Sequence, residues 1–544
     1  MPDRRAFTFA SAALAALLGA LPVLAVFGPG ALDPWNQGWL LAGPLGPDPV
    51  QLWLGWTYFV HSPWAWPPGA NPNYGMELGT AIYFADAIPL LALLGKVLRG
   101  LVVLPQYVGP WLFLSGALQG FAAWLLLGQA TGDRLARAMG AGLLALQPML
   151  INRMAGHTPL AGQWLLLLAL WLAVLPGGGW RRGFAWATLL GATALVHSYL
   201  LAMVAPLWLA DALRRIGPRS LLEVVLVPAA IGGALWLGGF FLLQGGLASG
   251  PGSDMGGYGT WNADLLGWLD GGIWSGLLPD LPGPDHWEAG SLYLGAGGLA
   301  LLLLGAVAFA RHPVVPPRRL WLLLAALLAL LGFAVTHRIT LGGARLLELP
   351  LPEVLVQRLS ALRNAERMVW PASYALMAAA VALAARRWGG RRLGWVLAGL
   401  LALQWVDLRP GLAFRHSLVV GAPYGVPQRL FDPFWAEAAP RYARVRAVPA
   451  ANMGEGWESI ARFAALAGLP TDSIYMARVD GAAVAALRAR MAELLRSGAY
   501  EPGTLYILRD AESLALAEAS HVPGRDLLRQ ADGYWVLAPG WWAR

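Results

Sequence analysis

The chain has 544 residues, 57% of them hydrophobic and only 13% charged, with a mean hydropathy of +0.53, whereas a soluble domain carries about 25% charged residues. The net charge of +8 sits in short Arg clusters beside apolar runs, not on a basic face, so nucleic acid is excluded as a partner. There is no Cys, which excludes disulfides and thiolate metal sites.

The basic residues draw a map. No Lys or Arg occurs between Arg5 and Lys96, or between Arg219 and Arg311. Each gap holds an apolar run beside a long, Trp-rich stretch whose only charges are acidic. Because Lys and Arg are kept in cytoplasmic loops, both stretches are expected on the outer side. In chain order, segment 6–27 is a retained anchor that leaves the cytoplasm, and 28–80 is the first outer loop. Residues 81–99 re-enter the membrane and 107–129 follow, one of the two being re-entrant or split. Residues 138–151 lead to the polar turn INRMAGHTPLAG, and 161–175 return to Arg181 and Arg182. The stretch 183–213 reads as two short helices around His197-Ser198-Tyr199. Segment 221–243 goes out to a second outer loop, 245–290. Segments 291–310 and 320–336 enclose a basic turn, 337–368 is a third outer stretch, and 369–385 and 393–408 complete the membrane part. About eleven to thirteen spans result, each needing roughly 17–25 apolar residues.

From Arg409 the charge density rises and short β-like runs (RVRAVPA, DSIYMARV, TLYILRD, GYWVLAPG) alternate with helical pattern. That alternation predicts an α/β domain with a partly parallel sheet over 409–544, outside by parity of crossings. The expected division is therefore 1–408 in the membrane and 409–544 beyond it. No GxGxxG or Walker-type loop occurs, which argues against a nucleotide-driven pump.

Several polar residues in this apolar chain are candidates for chemistry. Asp48 precedes Pro49 and an amphipathic run. It reads either as a helix N-cap or as a carboxylate base for an acceptor hydroxyl at the membrane surface. Asp86 lies in an apolar stretch, where an ionised carboxylate costs roughly 2.5–3.5 kcal/mol unless it faces a cavity; the competing reading is a helix-start cap. Arg153 and His157 are four apart on one outer turn, and Arg363 and Arg367 are four apart just before a span, spacings that share a helix face. Guanidinium groups there suit a lipid-linked phosphate, or serve as interfacial anchors. His197 in the hairpin, and Glu288 and Tyr293 near the next span, complete the set. The 28 Trp make either an interfacial belt or platforms for sugar rings.

The run from Gly46-Pro47-Asp48-Pro49 through Trp56, then PWAWPPG and YFADAIPLLALLGK, resembles a bacterial family of multi-spanning proteins grouped with the GT-C glycosyltransferases. PQYVG, INRMAGHTPLAGQW, VHSYLL, EAGSLYLGAG and LRNAERMVWP extend the resemblance over nearly the whole chain. It implies an α-helical polytopic GT-C-like fold with a C-terminal periplasmic α/β domain. It also implies an inner-membrane enzyme, with a cytoplasmic N-terminus, that transfers a sugar from a polyprenyl-phosphate donor to a glycan or lipid acceptor. Asp48 and Asp86 match the family's acids and become the catalytic pair. Arg153, His157, His197, Glu288, Tyr293, Arg363 and Arg367 become substrate-binding residues, and a divalent metal is optional. Where members show Ser-Gly-Arg-Phe, this chain has Ala365-Glu366-Arg367-Met368, which keeps the Arg and adds an acid. The alternative from another class is a lipid-linked glycan flippase or an envelope-assembly scaffold.

Overall fold

A computed structural model describes residues 4–217, 221–243, 257–284 and 292–543. The chain forms two compact units. One comprises Met1–Trp39, Tyr107–Gly233 and Gly256–Ala422, and the other Leu40–Gln106, Ala234–Met255 and Pro423–Arg544.

The first unit is helical and makes this a multi-pass membrane protein. Among the described residues, four helices are long and apolar enough to cross a bilayer: Phe9–Phe27, Val108–Leu127, Arg318–Val335 and Ala365–Trp388. A fifth span results if Gly390–Asp407 and Arg409–Ser417, bent by 48°, count as one. Eleven to thirteen spans were expected; Gly295–Arg311, with 17 residues, is one of several apolar helices just under the length of these four. Many apolar runs fold as helices too short to span, because Pro, Gly or a polar turn interrupts them, as in Arg134–Ala145 and Trp164–Val174. Segment 81–99 is one such run: its α-helix, Pro89–Val97, has nine residues, so the ambiguity near 81–129 resolves with Val108–Leu127 as the span.

Close helix contact follows from small residues. Gly116 and Gly120 form a small-x-x-x-small pair against the first helix, the packing that lets two membrane backbones approach. A Cβ on Gly120 would lie 2.0 Å from the Ala15 carbonyl oxygen. A second device is a row of amides. The helix Arg134–Ala145 stops at Leu146 and another starts at Pro148, so its last carbonyls lose their helical partners. Gln147 Nε2 donates to Leu143 O (2.8 Å), Gln119 Nε2 to Leu144 O (3.4 Å), Gln404 Nε2 to Leu146 O (2.9 Å) and Gln163 Nε2 to Met149 O (2.9 Å). All four glutamines are fully buried, and the break is satisfied without any charge. A two-stranded hairpin, β1 (Arg338–Leu341) with β2 (Ala344–Glu348), follows the span Arg318–Val335.

The second unit holds residues of the first outer loop and the C-terminal region in one core. Its sheet has the order β3 (Arg444–Val448), β4 (Thr504–Leu508), β6 (Tyr534–Ala538), β5 (Leu527–Ala531). β3 and β4 are parallel and the other pairs antiparallel, so the sheet is partly parallel. Val445, Ile460, Leu505, Ile507 and Val536 centre its hydrophobic core. DSIYMARV, expected as a strand, makes only an isolated bridge at Ile474, with Thr471 bridging just before it, and β5 occupies a place in the sheet that the sequence did not reveal. Arg446 is the hub of this unit. Its fully buried guanidinium reaches Glu77 (2.6 Å), Asp472 (3.1 Å) and Glu501 (3.1 Å). The loop around Glu77 is held again by Gly75 N donating to Thr471 O (2.7 Å) and Thr471 N donating to Asn73 O (3.1 Å).

Candidate functional site

Within the helical unit, three of the expected cationic or donor residues gather around Tyr199. The helix Trp180–Val196 ends and Ser198–Arg214 begins at His197, whose extended backbone (φ −166°) puts it in the cap position. Its Nδ1 accepts the Tyr199 N–H (3.1 Å), so in the neutral ring the proton is on Nε2. Burial first, then the charges of Arg367 and His157, hold the imidazole down at about 3. It is a neutral donor at any physiological pH. Arg367 lies over the Tyr199 ring at 5.0 Å, and the Tyr199 hydroxyl accepts the Asn364 N–H (3.0 Å). Glu366 N in turn donates to Trp261 O (3.0 Å), fixing the 364–367 backbone from the far side.

Tyr199 and Asn364 were given no role from sequence, and Trp261 only that of one outer-loop Trp among those expected in a belt or as a sugar platform. Tyr199 carried one signal, its place two residues after a capping His; the others act through backbone contacts between distant segments.

The same-face readings do not hold. The helix carrying Arg153 ends at Met154, so His157 sits beyond it as the first cap of the turn Thr158–Ala161. Asn364 (ψ 77°) breaks the chain between Arg363 and Arg367. Arg153 and Arg367 are buried and Arg363 half-buried. Tyr293 belongs to another group. Its hydroxyl donates to Asp407 Oδ2 (2.7 Å), which also takes the Ala296 N–H (2.7 Å). Glu288 lies outside the described residues.

In the second unit, Asp48 is the first residue of the helix Asp48–His61, with Pro47 rather than Asp48 in the cap position. Asp86 is half-buried in the turn before Pro89–Val97, not in a membrane-spanning helix. Its backbone is left-handed (φ 51°), as is that of Ile88 (φ 46°), conformations that cost a non-glycine residue about 1–3 kcal/mol and need outside support. The support is visible. The Phe84 carbonyl accepts both Gln51 Nε2 (2.9 Å), from the helix that Asp48 starts, and Ala477 N (2.7 Å), from the C-terminal region. Gly55 lets that helix lie against the same turn, where a Cβ would come within 2.5 Å of the Ala85 methyl.

Among the described residues no group of three or more His, Asp or Glu side chains is placed to hold a metal ion.

No curated protein matches the chain. Among solved structures, the oligosaccharyltransferase of Archaeoglobus fulgidus, in a complex with Zn and sulfate, is 13% identical. The match covers 97% of this chain and 73% of that one with a TM-score of 0.43. The same organism's enzyme with an inhibitory peptide and a dolichol-phosphate is 12% identical, over 100% of this chain and 75% of that one, at a TM-score of 0.41. The arabinofuranosyltransferase AftD from Mycobacteria is 16% identical; the match covers 99% of this chain but 40% of AftD, at a TM-score of 0.47. Residues 16–409 match the family described as Domain of unknown function (DUF6311), and residues 434–539 match the DUF6311 C-terminal domain. The chain belongs to the DUF6311 family.

Proposed function

We propose that this protein is a GT-C-type glycosyltransferase of the bacterial inner membrane. It moves a sugar from a polyprenyl-phosphate-linked donor to a glycan or lipid acceptor at the periplasmic face. The observation that carries this reading is the group of Arg367, which is buried, with the half-buried His157, His197 and Tyr199, at the start of the span Ala365–Trp388. A fixed guanidinium and a neutral N–H donor, at the end of a membrane helix, suit a phosphate whose other end is a lipid. The two long stretches without Lys or Arg support the outer orientation.

The reaction is an inverting displacement. The acceptor hydroxyl oxygen attacks the anomeric carbon opposite the phosphate, and the bond from that carbon to the phosphate oxygen breaks, its electron pair leaving with the lipid phosphate. The hydroxyl proton passes to the Asp48 carboxylate. Asp86, held in its left-handed turn, orients the acceptor. Arg367, with Arg153, Arg363 and His157, takes up the charge that develops on the leaving phosphate, and His197 donates to it without adding charge. No step is routed through a metal, and the C-terminal domain lies in the periplasm.

The test is sugar transfer by purified full-length protein from a radiolabelled polyprenyl-phosphate sugar. Asp48→Asn is expected to lower the rate by about 10²–10⁴-fold, the usual contribution of a positioned base, with an unchanged elution profile and thermal melt. Transfer persisting in that variant overturns the assignment of the base. Movement of the donor between leaflets without any transfer overturns the enzyme reading in favour of a flippase.

A further inference from the structure

The hairpin β1–β2 and the helix that follows it, Glu353–Leu359, carry several large apolar side chains in solvent beside their charged ones. In β2 every residue is exposed, so neither face of this strand is covered. Leu346 and Leu347 are 57% and 50% exposed although, as neighbours in a strand, they point to opposite sides. Leu349, Val354 and Leu355 continue the patch at 45%, 60% and 41%. β1 is half-buried, its Thr340 carbonyl accepting the Leu265 N–H (3.1 Å) and its hydroxyl the Asn262 amide (2.9 Å), but β2 has no such cover, and a strand with no packed face is marginal in water. Something else covers it.

Three observations say what. Both ends of the segment are tied to the membrane, since β1 begins at Arg338, just past the span Arg318–Val335, and Glu353–Leu359 stops shortly before the span Ala365–Trp388. Within 338–359 lie three arginines against two glutamates, a slight positive excess towards anionic headgroups. Glu348 takes both Arg338 (2.9 Å) and Arg345 (2.6 Å), so one carboxylate is shared by two guanidinium groups. Beside it, a groove of about 450 Å³ is lined by Arg338, Glu348 and Glu353 together with Leu349, Leu351 and Val356. Charged and apolar side chains both line it, as a lipid headgroup with its acyl chains requires.

We infer that residues 338–359 form a lipid-docking platform: the exposed leucines enter the acyl region of the adjoining leaflet, and the groove beside Arg338 takes a lipid headgroup. The occupant is the surrounding bilayer itself. The inference does not depend on the transfer reaction, nor on which leaflet faces the periplasm.

The absence of native Cys makes the test direct. Leu347→Cys and Val354→Cys, each the sole thiol in the full chain, are labelled with bimane and reconstituted into vesicles of phosphatidylglycerol and brominated phosphatidylcholine. Both labels are expected to lose at least half their emission to the brominated chains and to be about tenfold less sensitive to iodide than a label at Glu493→Cys, on the exposed helix Gly481–Ser497. Iodide quenching equal to that of the Glu493→Cys label overturns the platform. So does protection from both quenchers together with energy transfer between labelled copies, which assigns the patch to a second copy of the chain.

Discussion

Replacing Arg446 by Met tests whether one buried guanidinium joins the Glu77 loop to the C-terminal sheet. Arg446 and Asp472 are both fully buried, 3.1 Å apart, and Asp472 Oδ1 also takes the Ala447 N–H (2.7 Å). Burial pushes the Asp472 carboxyl up, and the guanidinium is what opposes that shift. Removing one partner of such a pair costs about 3–5 kcal/mol, because the other is left as a buried charge or must take a proton. At about 1.4 kcal/mol per tenfold, opening of this region becomes at least a hundredfold more frequent. Glu77 is 42% exposed, so its bond to Arg446 is screened and Glu77→Gln is expected to cost less than about 1 kcal/mol. Amide hydrogen exchange on the full-length protein in detergent reads both effects. In Arg446→Met, peptides covering 71–80 and 444–448 lose protection together, while Glu77→Gln affects only the first. The Arg446 hydrogen bond holds the Glu77 carboxyl down at about 2. A depressed carboxyl contributes stability above its unfolded value of about 4.5 and loses it as pH falls from there towards 2. The 71–80 protection should follow that window in wild type and lose its pH dependence in Glu77→Gln. Unchanged 71–80 exchange in Arg446→Met, or equal damage from both variants, refutes the reasoning.

Two further outcomes are expected. The His197 imidazole is held at about 3, below its unfolded value of 6.5, so the unfolded chain binds the extra proton between those limits and stability drains away as pH falls through that window. Melts of wild type between pH 7 and pH 4 should show this loss, up to about 1.4 kcal/mol per pH unit, and His197→Asn should flatten it; equal slopes would show that His197 is not held neutral. Gly55→Ala places a methyl 2.5 Å from the Ala85 methyl, so it should cost about 1–3 kcal/mol by overpacking and depress sugar transfer by displacing the turn of Asp86. A variant with full transfer and an unshifted melt would detach that turn from the reaction.

Much of the architecture is written in patterns a single sequence displays. Arg clusters and their absence mark a multi-pass protein, and strand–helix alternation after Arg409 marks a partly parallel sheet, with RVRAVPA, TLYILRD and GYWVLAPG entering it. DSIYMARV has the composition of a strand, yet Asp472 and Ser473 in it serve as buried polar partners to Arg446 and Arg509 instead. The span count is illegible for a related reason. Hydropathy measures how apolar a run is, not whether distant amides such as Gln404 can satisfy a break in it. For the candidate site, residue type pointed to Arg367, His157 and His197, because charge and imidazole are rare in an apolar chain. Spacing misled, since four-residue steps share a face only where the helix continues, and Asn364 and the end at Met154 interrupt both. Tyr199 gave little away, being ordinary until a contact with Asn364 across 165 positions gives it a role.

The collar of glutamines around Leu143–Met149 has an electrical consequence. Moving one elementary charge through a membrane potential of 100 mV involves about 2.3 kcal/mol. A kink braced by lysines or carboxylates would therefore bend with the cell's energisation and with acidity. Side-chain amides are neutral and do not titrate, so neither influence has a lever on this joint. The break itself, between Ala145 and Pro148, therefore holds the same hydrogen bonds whether the membrane is polarised or not.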